Sequence, residues 1–170
     1  MTASPLGSSN LGMNLALRLR IVAALLGVLV FLPALANAGM TQPEIDEFKS
    51  WKAKADKGDA NAQFNVGVCY SQGLGVYRDL VEGAAWYRKA ALQGDSYAQN
   101  NLGNCYANGE GVPKDEIEAY AYFNLVGVSD EYARQKVARL EAGMTPEAKL
   151  KGQQRTKELQ KEIEANKSRK

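Results

Sequence analysis

Sliding the chain along itself reveals an ungapped repeat of 36 residues, and no other feature limits the possible folds as much. Gly58-Asp59 recurs as Gly94-Asp95, and Ala62-Gln63 as Ala98-Gln99. Asn65, Gly67 and Cys69-Tyr70 meet Asn101, Gly103 and Cys105-Tyr106. Gly73, Gly75 and Val76 meet Gly109, Gly111 and Val112, and Asp79, Glu82 and Ala85 meet Asp115, Glu118 and Ala121. Repeats of this length are the mark of stacked helical hairpins, in which each unit buries an apolar face against its neighbours.

The residues of one unit read as helix, turn, helix. Asp59 and Asp95 are N-caps, because a short carboxylate accepts the unpaired N–H groups of a first turn. Ala62, Val66, Cys69 and Tyr70 then share one helical face, as do Ala98, Leu102, Cys105 and Tyr106. Gly67 and Gly103 sit inside these helices at a cost of about 1 kcal/mol each relative to Ala, which implies a partner helix packed closely there. Gly73 and Gly109 end the first helices in a conformation that favours glycine. Asp79 and Asp115 open the second helices, each with Glu three residues on, in the pattern of a capping box. These second helices are expected to run to about Gln93 and Val128. They bury Trp86, Ala90 and Ala91 in one unit and Ala119, Tyr122 and Val126 in the other.

The ends complete the array. Thr41 with Glu44 opens a helix carrying Ile45, Phe48 and Trp51, which has the character of the second helix of a missing unit. Asp130 to Arg134 echoes Asp95 to Gln99 at a shift of 35 residues. Thr145-Pro146-Glu147 starts a last helix with Pro in its first turn. Beyond Lys149 that helix is charge-rich, and it reads as a solvated outer cap whose end frays. The expected organisation is a signal segment over 1–38, a capping helix over 39–57 and repeats over 58–93 and 94–129. A partial third repeat and a charged capping helix take up 130–170. The fold class is an all-α, right-handed α-solenoid.

Arg18 and Arg20 precede an apolar run from Ile21 to Ala36, broken by Pro33 and closed by the small-residue pattern Ala36-Asn37-Ala38. The run is shorter than the ~20 apolar residues of a membrane-spanning helix. It reads as a signal peptide cleaved after Ala38, the other reading being an uncleaved anchor. Translation could begin at Met1 or at Met13. Export implies a periplasmic or secreted address and leaves no stable membrane insertion after cleavage.

Composition narrows the chemistry. Among 170 residues the net charge is +2, and removing Arg18 and Arg20 leaves the remainder neutral, so no nucleic-acid partner is expected. Histidine is absent. Its absence removes Ser-His-Asp and Cys-His nucleophile systems and His-based zinc sites. The Gly-x-Gly pairs at Gly73 and Gly109 lack a third glycine and follow helices, so they are turns and not nucleotide loops. No Walker loop is present, and no cofactor or metal is expected. Cys69 and Cys105 occupy equivalent positions on helices about 8–10 Å apart, beyond disulfide reach, which favours buried free thiols over a bridge.

The string from Gly58 through Ala91, with Gly-Asp-x-x-Ala-Gln, Gly-x-x-Tyr, Gly-x-Gly-Val and Trp-Tyr-x-Lys-Ala-Ala, resembles the Sel-one-like repeat, a relative of the tetratricopeptide repeat. Residues 94–129 match its first half and loop. Gly83 in place of Ala, and Leu125-Val126-Gly127 in place of Lys-Ala-Ala, depart from the pattern. The resemblance implies a non-enzymatic scaffold that binds a protein or peptide on a concave surface lined by first helices. On that analogy the groove residues are Asn61, Phe64, Val68 and Ser71, then Tyr97, Asn100, Asn104 and Asn108, then Tyr132, Gln135 and Arg139. A blander reading also stands, in which the asparagines are ordinary surface residues and Phe64 packs on a neighbouring helix. Two alternative functions are a β-lactamase-like or penicillin-binding enzyme, as implied by cysteine-rich relatives, and a self-associating envelope subunit. The paired cysteines of those relatives and a Ser-x-x-Lys motif are both missing here.

Overall fold

The computed structural model describes residues 39–127 and 130–169. The apolar segment with its cleavage point, both possible start methionines and Val128 lie outside the described residues. Seven helices are found among the described residues: α1 (Gln42–Ala55), α2 (Ala60–Gln72), α3 (Leu80–Ala91), α4 (Ser96–Asn108), α5 (Glu116–Val126), α6 (Glu131–Gly143) and α7 (Pro146–Ser168).

Side-chain caps set most of the boundaries. Asp59 and Asp95 accept from the backbone N–H of Ala62 and Ala98 at 2.7 and 2.8 Å. Gly73 and Gly109 close the first helices with φ of 78° and 75°. Asp79 accepts from the N–H groups of Val81 and Glu82, and Asp115 from those of Ile117 and Glu118. The reciprocal half of the expected capping box is not made here; Glu118 turns instead to Arg155 at 2.7 Å. A complete box forms at Thr41, whose N–H donates to Glu44 Oε2 at 2.7 Å.

Successive helices pack as antiparallel neighbours, α2 on α3 and α4 on α5, with α3 joining the two pairs through α4. Buried Ala62, Val66 and Trp86 form one core cluster under Phe48, Trp51 and Tyr70. Ala84, Tyr87, Ala98, Leu102, Tyr122 and Leu159 belong to the second. The repeat register extends to polar atoms. Gln63 and Gln99, both buried, donate from Nε2 to the carbonyls of Ala55 and Ala91 at 3.2 and 3.1 Å. Each adds a second hydrogen bond to a helix-terminal carbonyl that already accepts from the N–H of Gly58 or Gly94.

The glycines inside the first helices mark close approach. A Cβ on Gly67 would lie 2.6 Å from the Tyr87 ring, and one on Gly103 2.7 Å from the Phe123 ring. The loop glycines show where α1 belongs. A Cβ on Gly111 would overlap the Leu80 carbonyl at the start of α3, and one on Gly75 would overlap the Glu44 carbonyl at the start of α1. The two contacts are one repeat apart, so α1 stands where the second helix of a preceding unit would stand.

The C-terminal part differs from a third hairpin. Both α6 and α7 pack on α5 rather than on one another. Gly152, Thr156, Leu159 and Ile163 of α7 are buried, and Asn166 Nδ2 reaches the Leu92 carbonyl at 3.1 Å. The last helix is therefore not the solvated cap read from its charges. It folds back along α5 to the junction of the two repeats, and only its outer side is wet.

Candidate interaction site

The helix ends and loops leave one outward side on each first helix, α2, α4 and α6, and the residues expected to bind fall there with unequal roles. Asn61, Gln135 and Arg139 are exposed. Tyr97 and Tyr132, equivalent positions of successive units, are 69% and 57% exposed, which is unusual for large aromatic side chains. Phe64 is half-buried, its ring 6.0 Å from Tyr87 and 5.8 Å from Tyr97. It therefore serves packing and surface together. Val68 is half-buried and shares a cavity of about 250 Å³ with Glu44, Glu47 and Trp51.

Ser71 is a correction. Its Oγ donates to the Gly67 carbonyl at 2.7 Å, and a Cβ on Gly83 would lie 2.5 Å from it. The hydroxyl belongs to the seam between α2 and α3 and not to a groove. Gly83 stands in place of Ala because Ser71 takes the space a methyl would need. Asn100 is a partial correction, since its Oδ1 is buried and has no hydrogen-bond donor among the described residues. Asn104 and Asn108 do meet Arg139, around a cavity of about 450 Å³ between α4, α5 and α6.

At that cavity the structure adds a residue the sequence reading left out. Lys136 donates to Asn104 Oδ1, and its ammonium lies 4.9 Å from the Phe123 ring centre and 4.6 Å from that of Tyr132. The register could have found it. Lys136 takes the position held by Asn65 and Asn101 in the two complete units, so a cation replaces a recurring amide.

The chemistry available is that of recognition. Burial pushes the Cys105 thiol up to about 11 and raises that of Cys69, and both cysteines are free. A thiol held protonated is a poor nucleophile. Among the described residues no group of three His, Cys, Asp or Glu side chains could hold a metal ion. No described helix is long and apolar enough to cross a membrane.

Comparison with known families fits this geometry. The family model for the Sel1 repeat matches residues 60–95 and 96–125. Residues 60–95 and 96–125 are thus two Sel1 repeats. The matched spans correspond closely to α2–α3 and α4–α5. A Sel1-like repeat (SLR) structure, a protective antigen present in uropathogenic Escherichia coli strains, superposes with a TM-score of 0.67 at 30% identity. That match covers 70% of this chain and 26% of the antigen. A Sel1 repeat protein from Oxalobacter formigenes gives 0.53 at 30% identity, over 55% of this chain and 39% of the other. Over 54 residues the chain is 43% identical to DAP3-binding cell death enhancer 1 of Rattus norvegicus, and 39% to that of Mus musculus. Those 54 residues are 29% of this chain and 10% of either relative. Sel1 repeat proteins are generally protein–protein interaction scaffolds, and the all-α solenoid seen here is of that type.

Proposed function

We propose that this chain is an exported scaffold that holds a protein partner, as an extended peptide, on the concave side lined by α2, α4 and α6. The observation that carries this reading is the repeated exposed tyrosine. Tyr97 and Tyr132 stand at the same position of successive units, and the same three helices expose amides at Asn61, Asn108 and Gln135. Aromatic rings supply buried area on binding, and amides pair with the backbone of an extended segment. The protonated, buried thiols and the missing histidines favour a non-catalytic role. Arg18 and Arg20, the apolar run and Ala36-Asn37-Ala38 support export to the periplasm or beyond.

Capture from envelope extract tests the binding half. Full chain would be immobilised beside a variant carrying Tyr97→Ala, Asn108→Ala, Tyr132→Ala and Gln135→Ala. All four residues are exposed, so circular dichroism should match the parent. The reading predicts a partner held by the parent and lost by the variant; equal capture by both would overturn it. N-terminal sequencing of the protein from the envelope fraction tests export, with Gly39 expected as the first residue. A protein confined to the cytosol with its leader intact contradicts it.

A further inference from the structure

We propose that the cavity between α4, α5 and α6 receives the carboxylate of an Asp or Glu side chain carried by a peptide that runs on through the groove. The inference rests on the peptide-binding reading above and names the chemistry it selects.

Lys136 is half-buried, and its neighbours are neutral: the Asn104 carbonyl oxygen and the faces of Phe123 and Tyr132. Arg139, almost one turn further along α6, lines the same cavity. Neither cation has a carboxylate within ion-pair distance among the described residues. Arg134, Arg155, Lys52, Lys114 and Lys151 all do. The cavity's own acid, Glu116, is engaged by Lys114 at 3.3 Å. A partly desolvated ammonium held only by neutral groups keeps an unmet demand for an anion. A carboxylate placed there would gain charge-assisted hydrogen bonds.

The repeat supplies an internal comparison. The cavity at Glu44, Trp51, Asn65 and Val68 occupies the same register two units earlier. There Asn65 and Val68 stand where Lys136 and Arg139 stand, and Glu47 adds a second carboxylate. The positive character thus belongs to one end of the array and is not a property of the repeat. The occupant is a side chain and not a chain end because the cavity does not stop. A second cavity of about 500 Å³ shares Glu116 and Gly143 with it and leaves room for the peptide to continue.

The test uses the full chain and labelled ten-residue peptides, acetylated and amidated, with central Leu-Glu-Leu, Leu-Gln-Leu or Leu-Lys-Leu. A fourth has central Leu-Gln-Leu and a free C-terminal carboxylate. Binding is read by fluorescence anisotropy at low salt. The capped Glu peptide should bind about tenfold tighter than its Gln twin, as one well-made charged hydrogen bond allows. Lys136→Met, which keeps chain length over the two rings, should abolish that difference, and Arg139→Gln at an exposed position should reduce it. Equal binding of Glu and Gln peptides, or preference for Lys, overturns the carboxylate receptor. Tight binding of only the uncapped peptide overturns the side-chain assignment, and a Glu preference intact in both variants overturns the location. If no peptide binds while envelope capture succeeds, this inference falls and the scaffold reading stands; if both fail, both fall.

Discussion

Gly75 and Gly111 show how a single missing Cβ sets the stacking of units. Both have φ near +70°, and both lie against the first backbone carbonyls of the preceding second helix. A methyl at Gly111 would meet left-handed strain and a backbone that cannot rotate away. Gly111→Ala should therefore cost about 2–5 kcal/mol, adding ~1–2 for the conformation to ~1–3 for overpacking. Urea denaturation measures it, and a change below about 0.5 kcal/mol would contradict the close approach. Asn100 is the opposite case. Its buried Oδ1 lacks a donor, whereas its counterpart Phe64 packs against two rings. Replacing an unsatisfied buried polar group with an apolar one is neutral or favourable, so Asn100→Leu should leave stability equal or raise it by up to about 1 kcal/mol. Tyr122 adds a pH dependence. Burial pushes its phenol up to about 12, against about 10 in an unfolded chain. The unfolded state therefore releases its proton first on the alkaline side. Tyr122 contributes full stability below about pH 10 and loses it as pH rises toward about 12. Tyr87, Tyr120 and Tyr70, also raised by burial, act in the same direction. Melting temperature should fall steeply from pH 10 upward, and less steeply in Tyr122→Phe.

At the scale of elements, the repeat made α2 to α5 legible because their signals are chemical as well as hydrophobic. Asp at the caps, Gly at the helix ends and Gly under the aromatic rings each identify one position. The course of α7 was not legible. Its buried positions are Gly152, Thr156, Leu159 and Ile163, and the first two carry no apolar signal against eight or more charges around them. A tertiary contact, Gly152 under the Tyr120 ring, creates that face. Ser71 was misplaced for a similar reason: spacing put it on the outward side, but its hydroxyl fills the gap opposite Gly83. Lys136 was overlooked because a helical lysine ordinarily signals solvent. The fold-back makes α7 part of the core. Leu159, fully buried in the main cluster, should cost about 2–5 kcal/mol when changed to Ala. Lys157→Ala on the exposed side should stay within about 0.5 kcal/mol. Equal effects of the two changes, by chemical denaturation, would mean that the helix stands off α5.

The described residues form a short array with unlike ends. The cavity at the α1 end is lined by Glu44 and Glu47, and the one at the α6 end by Lys136 and Arg139 with Glu116. On a chain with almost no net charge, a peptide held as proposed would take a preferred direction, basic residues toward α1 and acidic residues toward α6. The α1 helix and the returning α7 cover surfaces that a longer solenoid would bury against further units. The chain spans only a tenth to two-fifths of the relatives and solved structures it matches, so its partner has to be sought with this protein itself.

The most direct test of the account is site-specific photo-cross-linking in intact cells. A photoreactive side chain would be placed at Tyr97 or at Arg139 on the groove side, and at Lys161 on the wet side of α7. One discrete cross-linked partner is expected from the first two positions and none from the third. Cross-links from Lys161 alone would place the partner on the opposite face and contradict the assignment of α2, α4 and α6 as the binding surface.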